Sequence, residues 1–308
     1  KGEFLYAVNE TDTFRSPTTG ERTGAISVFS VNRESGALTL LQQVSSEGAA
    51  PCHLSLDRTG RFLFVANYSG GSVAVFPVAD DGRLGPHSQF IQGAGSSVHP
   101  ERQTQPHAHF IQATPDNRFV LIADLGRDLV MVGKFDDGII TLGPSASAEP
   151  GSGPRHLTFS PSSTFHYALN ELTSTVTTYS LDPETGEMTA MGTISTLPED
   201  YKGANTAAEI VTVNGRFLYV SNRGHDTIGL FDIDQEDGHL TAVEWIPSGG
   251  AGPRHFEIDP SGRWLLVSNQ GSDNLTLFRV DSSTGRLTPS GKVRSVSAPV
   301  CTRFIPVH

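Results

Sequence analysis

The chain has 308 residues, with 22 Lys+Arg against 33 Asp+Glu, and its formal net charge of −11 argues against a general nucleic-acid or anionic-membrane surface. Hydrophobic residues make up 37% and charged residues 18%, which fits neither a disordered chain nor a coiled coil, and no apolar run approaches the roughly 18–20 residues of a membrane span. Two Cys exclude a disulfide framework or a Cys-rich zinc site, while 32 Gly and 19 Pro point to a turn-rich β protein.

Read in chain order, Lys1 opens directly on an apolar strand pattern, without an initiator Met or targeting segment. The expectation is that an upstream segment is missing, and any secretion signal would lie there. FLYAVNE from Phe4, AISVFSV from Ala25 and ALTLLQQ from Ala37 follow as three alternating strands. From Pro51 a longer unit begins: a Pro-x-His start, an alternating strand, then Gly-Arg-Phe-Leu-x-Val-x-Asn. It continues with Val-x-Val-Phe-x-Val, an acidic turn with Gly, and Gly-x-Leu-Thr. Versions of the unit start again at Pro106, Gly153, Asn205 and Gly252. The last stretch, Ala298 to Phe304, matches the first strand of a unit, as the N-terminal stretch matches the last three.

The position matching Arg in Gly-Arg-Phe falls at Glu3, Arg61, Arg118, Thr164, Arg216 and Arg263, an average spacing of about 52 residues. Four short strands per unit of that length predict a β-propeller of four-stranded antiparallel blades. Length alone allows two domains. With no linker in view, the repeat predicts a single propeller over 1–308, closed by 298–305 against the N-terminal strands.

Aligned repeats separate what is shared from what varies. The residue opening the first strand reads Cys52, His109, Arg155, Ala207, Arg254 and Val300. The residue just after the second-strand Asn or Asp reads Glu10, Tyr68, Leu125, Glu171, Arg223 and Gln270. These two rings would place His109, Arg155, Glu171, Arg223 and Arg254 around one funnel, suited to an anionic small molecule and acid–base chemistry. A structural role stands beside this one: the shared Gly-Pro-Arg-His could pair with loop carboxylates, and Glu171 with Arg223 could be a plain ion pair. The recurring His53, His156 and His255 read as blade packing, and the recurring Asn and Asp as turn caps. His107-x-His109 lacks further ligands for a metal. No nucleophile elbow and no phosphate-cradling Gly-Lys loop occur. Two longer connections, 93–105 and 195–206, are expected on the funnel side.

With these residues in view, the chain resembles the β-propeller lactonases, the propeller-type 6-phosphogluconolactonases and their carboxy-cis,cis-muconate cyclase relatives. The resemblance runs end to end. It rests on Ala49–Leu54, Ala66–Gly71, Arg102-Gln103-x-x-Pro106-His107-Ala108-His109, Ala123–Gly126, Gly153–His156, Leu169–Leu172, Ala207–Ile210 and Ser221–Asp226. It implies seven blades, so a family member would carry about one more repeat before Lys1, and this chain either lacks that blade or forms a six-bladed ring. It also implies a site of His109 (or His107), Arg155, Glu171 and Arg223. The variable positions of the repeats add Arg254, Tyr68, Gln270 and Glu10, with His107, as expected substrate contacts. The expected reaction is hydrolysis of 6-phosphogluconolactone in the cytoplasm, by a monomer or weak homodimer. No metal, no organic cofactor, no nucleic acid and no membrane partner is expected. A lactone-forming cyclase and a non-catalytic scaffold are the alternatives.

Overall fold

The computed structural model describes residues 2–17, 19–160 and 163–305. Lys1, and with it the expectation about the chain's start, lies outside the described residues. Pro161 and Ser162 lie outside as well. Among the described residues, all regular structure but one 3-10 turn is antiparallel strand, in the repeating meander the sequence predicts. The fold is a β-propeller, and its described residues form six sheets in two compact units.

The first unit, residues 2–154 with 182–188, holds three sheets. They are β1 (Phe4–Arg15), β2 (Arg22–Val31) and β3 (Leu38–Ser45); β4 (Pro51–Leu56), β5 (Phe62–Asn67), β6 (Ser72–Pro77) and β7 (Gln89–Gln92); and β8 (Ala108–Ala113), β9 (Phe119–Asp124), β10 (Leu129–Asp136) and β11 (Ile139–Ser147). The second unit, 155–181 with 189–305, holds the other three. These are β12 (Pro154–Phe159), β13 (Phe165–Asn170), β14 (Thr175–Leu181) and β15 (Met188–Ser195); β16 (Thr206–Val213), β17 (Phe217–Arg223), β18 (Thr227–Ile233) and β19 (Leu240–Pro247); and β20 (Pro253–Ile258), β21 (Trp264–Asn269), β22 (Asn274–Val280) and β23 (Leu287–Ser295).

Second and third strands are nearly all apolar because both of their faces are covered. Ile26, Val28, Leu63, Val65 and Phe76 form one core of the first unit; Phe64, Ile111, Ile122 and Phe135 belong to another. In the second unit Tyr167, Ile210, Leu218 and Phe231 pack together, as do Tyr219, Phe256, Leu265 and Phe278. The fourth strands are largely exposed.

Two shared motif positions turn out to be one contact. The Phe opening each second strand lies against the Gly of the next sheet's acidic turn, as Phe62 does on Gly138 and Phe165 on Gly238. Both glycines have positive φ, and a Cβ on Gly238 would lie 2.4 Å from the Phe165 ring. The Tyr167 hydroxyl donates to the Gly238 carbonyl at 3.2 Å, tying the same corner. The repeat therefore encodes sheet-to-sheet packing within each unit.

The first sheet has three strands. In the second unit, 298–305 lies along β20. The Thr302 N–H reaches His255 Nδ1 at 3.4 Å and the Phe304 N–H reaches Glu257 Oε2 at 2.7 Å. In the first unit the Ile111 N–H meets His53 Nδ1 at 3.3 Å in the same manner, so 298–305 stands to β20 as β8 stands to β4. Among the described residues no helix is long and apolar enough to cross a membrane.

Candidate active site

The variable positions at the start of the first strands share a backbone device. Strand register shifts between Pro51 and His53, Ala108 and Phe110, and Pro253 and His255, leaving Cys52, His109 and Arg254 as bulge residues. A bulge bends its strand and re-aims one side chain, which is why bulges gather near functional sites. In β16 the shift lies between Ala207 and Ile210, so the residue equivalent to Arg155 and Arg254 is Ala208. The alignment that put Ala207 in this ring is one residue off, because sequence spacing does not show which residue a ladder skips.

Gly-Pro-Arg-His is set by its glycine. The Gly153 N–H donates to Asp128 Oδ1 at 2.7 Å, and the Gly252 N–H to Asp226 Oδ1 at 2.8 Å. Both glycines have positive φ, conformations a side chain disfavours, and each starts the strand that carries an arginine two residues on. The carboxylates here serve backbone N–H groups of the motif. The recurring second-strand Asn does similar work: Asn67 Nδ2 donates to the Ser46 carbonyl at 3.1 Å and Asn222 Nδ2 to the Thr196 carbonyl at 2.9 Å.

In the second unit three predicted residues meet. Arg155 Nε lies 3.0 Å and Arg223 Nη2 3.2 Å from the same oxygen, Glu171 Oε2. Arg155 and Glu171 are 3% and 5% exposed, so this is a buried cluster and not a surface pair. Arg155 Nη1 also donates to the Ala208 carbonyl. Arg223 Nη2 donates to the Ala207 carbonyl at 3.1 Å, and Nε to the Thr206 carbonyl at 3.4 Å. Burial pushes the Arg223 guanidinium down to about 10, with the positive field of Arg155 adding to it and Glu171 opposing it. The half-buried Arg254 acts on Arg223 through the same field. Two guanidiniums thus pair with one carboxylate and a third adds its positive field, an arrangement suited to an anion.

In the first unit a second group forms around Tyr68. Its ring stacks on His107 at 4.3 Å and 15°, and meets His109 edge-on at 5.5 Å. His107 Nδ1 donates to the Tyr68 carbonyl at 2.9 Å, and its backbone N–H donates to Asp124, so its ring is fixed by backbone contacts. His109 is 5% exposed. Arg102, absent from the predicted contacts, donates to the Tyr68 hydroxyl at 3.2 Å. It comes from the long connection 93–105, which Asp128 anchors by accepting from Ser97, Gln103, Gly151 and Gly153. Gln103 is fully buried, so this insertion is part of the folded body. Of the remaining predicted contacts, Glu10 is exposed within β1, which runs past the expected turn to Arg15, and Gln270 begins the 3-10 turn, its N–H on the Gly252 carbonyl two residues before Arg254.

Sequence reasoning missed Glu209. It stands one residue after the β16 bulge residue, the place His156 and His255 take after Arg155 and Arg254, and an alignment correct by one residue would have shown the exchange of His for Glu.

The family described as "Lactonase, 7-bladed beta-propeller" matches residues 1–304. The 6-phosphogluconolactonase of Bacillus subtilis (strain 168) is 38% identical over 239 residues, which is 77% of this chain and 68% of that protein. The structure of the Pseudomonas aeruginosa periplasmic gluconolactonase PpgL superposes with a TM-score of 0.89 at 33% identity, covering 99% of this chain and 86% of that one. A Lactobacillus plantarum protein superposes with a TM-score of 0.90 at 33% identity, covering 99% and 86%. The chain belongs to the seven-bladed β-propeller lactonase family, and six of its sheets are described here.

Proposed function

We propose that this propeller lactonase hydrolyses the lactone of a sugar acid that carries an anionic group, with 6-phosphogluconolactone the best-fitting substrate. The observation that carries the reading is the buried pairing of Arg155 and Arg223 on one oxygen of Glu171, with Arg254 adding a third positive charge. A charged, fully folded-in cluster of this kind costs desolvation and is seldom kept for stability alone. It suits a reaction in which negative charge grows on a carbonyl oxygen.

In the proposed reaction a water oxygen bonds to the lactone carbonyl carbon as its proton passes to a general base. The carbonyl π pair moves onto oxygen, and Arg155 stabilises that oxyanion. Collapse of the tetrahedral centre breaks the ring C–O bond, the departing oxygen takes up a proton, and the acid is released as carboxylate. Arg223 and Arg254 hold the anionic substituent. Glu171 is the base that the cluster supplies in the second unit. His109 is the natural acid for proton return, and the alternative to Glu171 as base.

The deciding experiment is hydrolysis of 6-phosphogluconolactone, corrected for spontaneous ring opening, by wild type, Arg155→Ala and Glu171→Gln. Loss of most activity in both variants is expected. Equal rates above background in all three would remove the site, and an inactive wild type that turns over carboxymuconate would reassign the cluster to lactone formation.

A further inference from the structure

Behind the arginines of the second unit lies a second buried group that the proposed reaction does not use. Glu209 is 8% exposed, and its carboxylate lies between two imidazoles. Oε1 accepts from His156 Nδ1 at 3.1 Å and from the Ile210 N–H at 3.2 Å. Oε2 lies 3.6 Å from His255 Nε2. The chemistry fixes both tautomers. A carboxylate only accepts, so His156 carries its proton on Nδ1. His255 Nδ1 receives the Thr302 N–H, so its proton is on Nε2, facing Glu209.

The placement of these three residues is what matters. His156 follows Arg155, and His255 follows Arg254, on β12 and β20. Glu209 sits on β16, beside the bulge that aims the Ala208 carbonyl at Arg155. Its own N–H, lost to the ladder by that bulge, is taken up by Ser221 Oγ at 3.0 Å. One anion therefore ties down the residue next to each of two arginines, and its own backbone follows directly on the carbonyl that receives one of them.

We infer that Glu209 is a positioning residue for the arginine cluster, acting through His156, His255 and the Ala208 carbonyl. The inference rests on the lactonase reading for its kinetic consequence, although its structural content does not. Displacing Arg155 by part of an ångström weakens an interaction made in the transition state more than it weakens binding, so the loss belongs in kcat. The charged groups that act on the two imidazoles are Arg155, Arg254, Arg303 and Glu171 besides Glu209 itself, and Cys301, which Glu209 and Glu257 both influence, completes the set. Removing one negative charge from among them makes the site more positive, which moves the acid limb of a pH–rate profile to lower pH.

The test uses Glu209→Gln, close in shape but neutral, with Glu209→Asp as the conservative variant. Nitrogen NMR of the histidine side chains in wild type should show His156 protonated on Nδ1 and His255 on Nε2. Glu209→Gln, shown to melt cooperatively, should lose at least about 10-fold in kcat with KM within about threefold, its acid limb should move down, and Glu209→Asp should recover part of kcat. A Glu209→Gln kcat within twofold of wild type, or a lower kcat with an unmoved acid limb, overturns the assignment. If wild type hydrolyses no lactone, the proposed function fails separately. The tautomers then decide, and His156 protonated on Nε2 overturns the inference.

Discussion

Arg155 lies on β12 and Glu171 directly follows β13 of the same sheet, yet their contact is fastened from the adjacent sheet. Arg155 Nε is 3.0 Å from Glu171 Oε2, while the Ala207 N–H donates to the Glu171 carbonyl at 3.2 Å and the Ala208 carbonyl receives Arg155 Nη1. A change in β16 should therefore reach the ion pair without touching either partner.

Arg223→Lys keeps the charge and removes the fork. One guanidinium serves the Thr206 and Ala207 carbonyls and Glu171 together, and an ammonium on a flexible stem does not span those three oxygens. Lactonase kcat/KM should fall on the order of 10²-fold, with cooperative unfolding retained. A variant within threefold of wild type would show that Arg223 acts as a charge alone.

His109→Asn tests the proton-transfer role in the first unit. The Tyr68–His107 stack and the His107 backbone contacts do not involve His109, so the fold should persist. Loss of a general acid should lower kcat by about 10²–10⁴-fold. An unchanged kcat across pH would assign proton return to another group.

Acid should destabilise this protein before its carboxylates protonate. Burial depresses His255 to about 4, only partly opposed by Glu209, and burial with the fields of Arg155 and Arg254 holds His156 well below the ordinary 6.5. Both imidazoles are neutral when folded and gain a proton when unfolded. Their contribution is present above pH 6.5 and drains as pH falls towards 4, on the order of 3 kcal/mol for His255. For Asp57 and Asp259, burial is outweighed by hydrogen bonds from their own turns, so they titrate lower still. Urea midpoints at pH 7.5, 6 and 5 should fall in order, and His255→Gln should flatten that slope. Midpoints that do not change over this range would contradict the buried neutral pair.

Gly238→Ala should destabilise by about 1–3 kcal/mol. The residue has φ +72°, and the added Cβ meets the Phe165 ring at 2.4 Å. Chemical unfolding reads the change, and kcat at low temperature should hold, since the turn lies away from the arginines. A neutral substitution would mean that the Phe165 corner yields freely.

The strands, their meander and the blade repeat are legible in the sequence, because period-two alternation and turn glycines are local properties. Arg155, Glu171 and Arg223 stand out there too, since they break a repeat that otherwise holds. Which of the variable residues meet is a matter of folding. Glu10 extends a strand, His107 is committed to the Tyr68 carbonyl, and Ala208 rather than Ala207 faces Arg155. Glu209 was equally invisible, because its partners lie 53 and 46 residues away and are reached through a bulge. Alternation specifies a strand's two faces, whereas the residue a ladder skips is set by pairing with another strand, and that pairing exists only after folding.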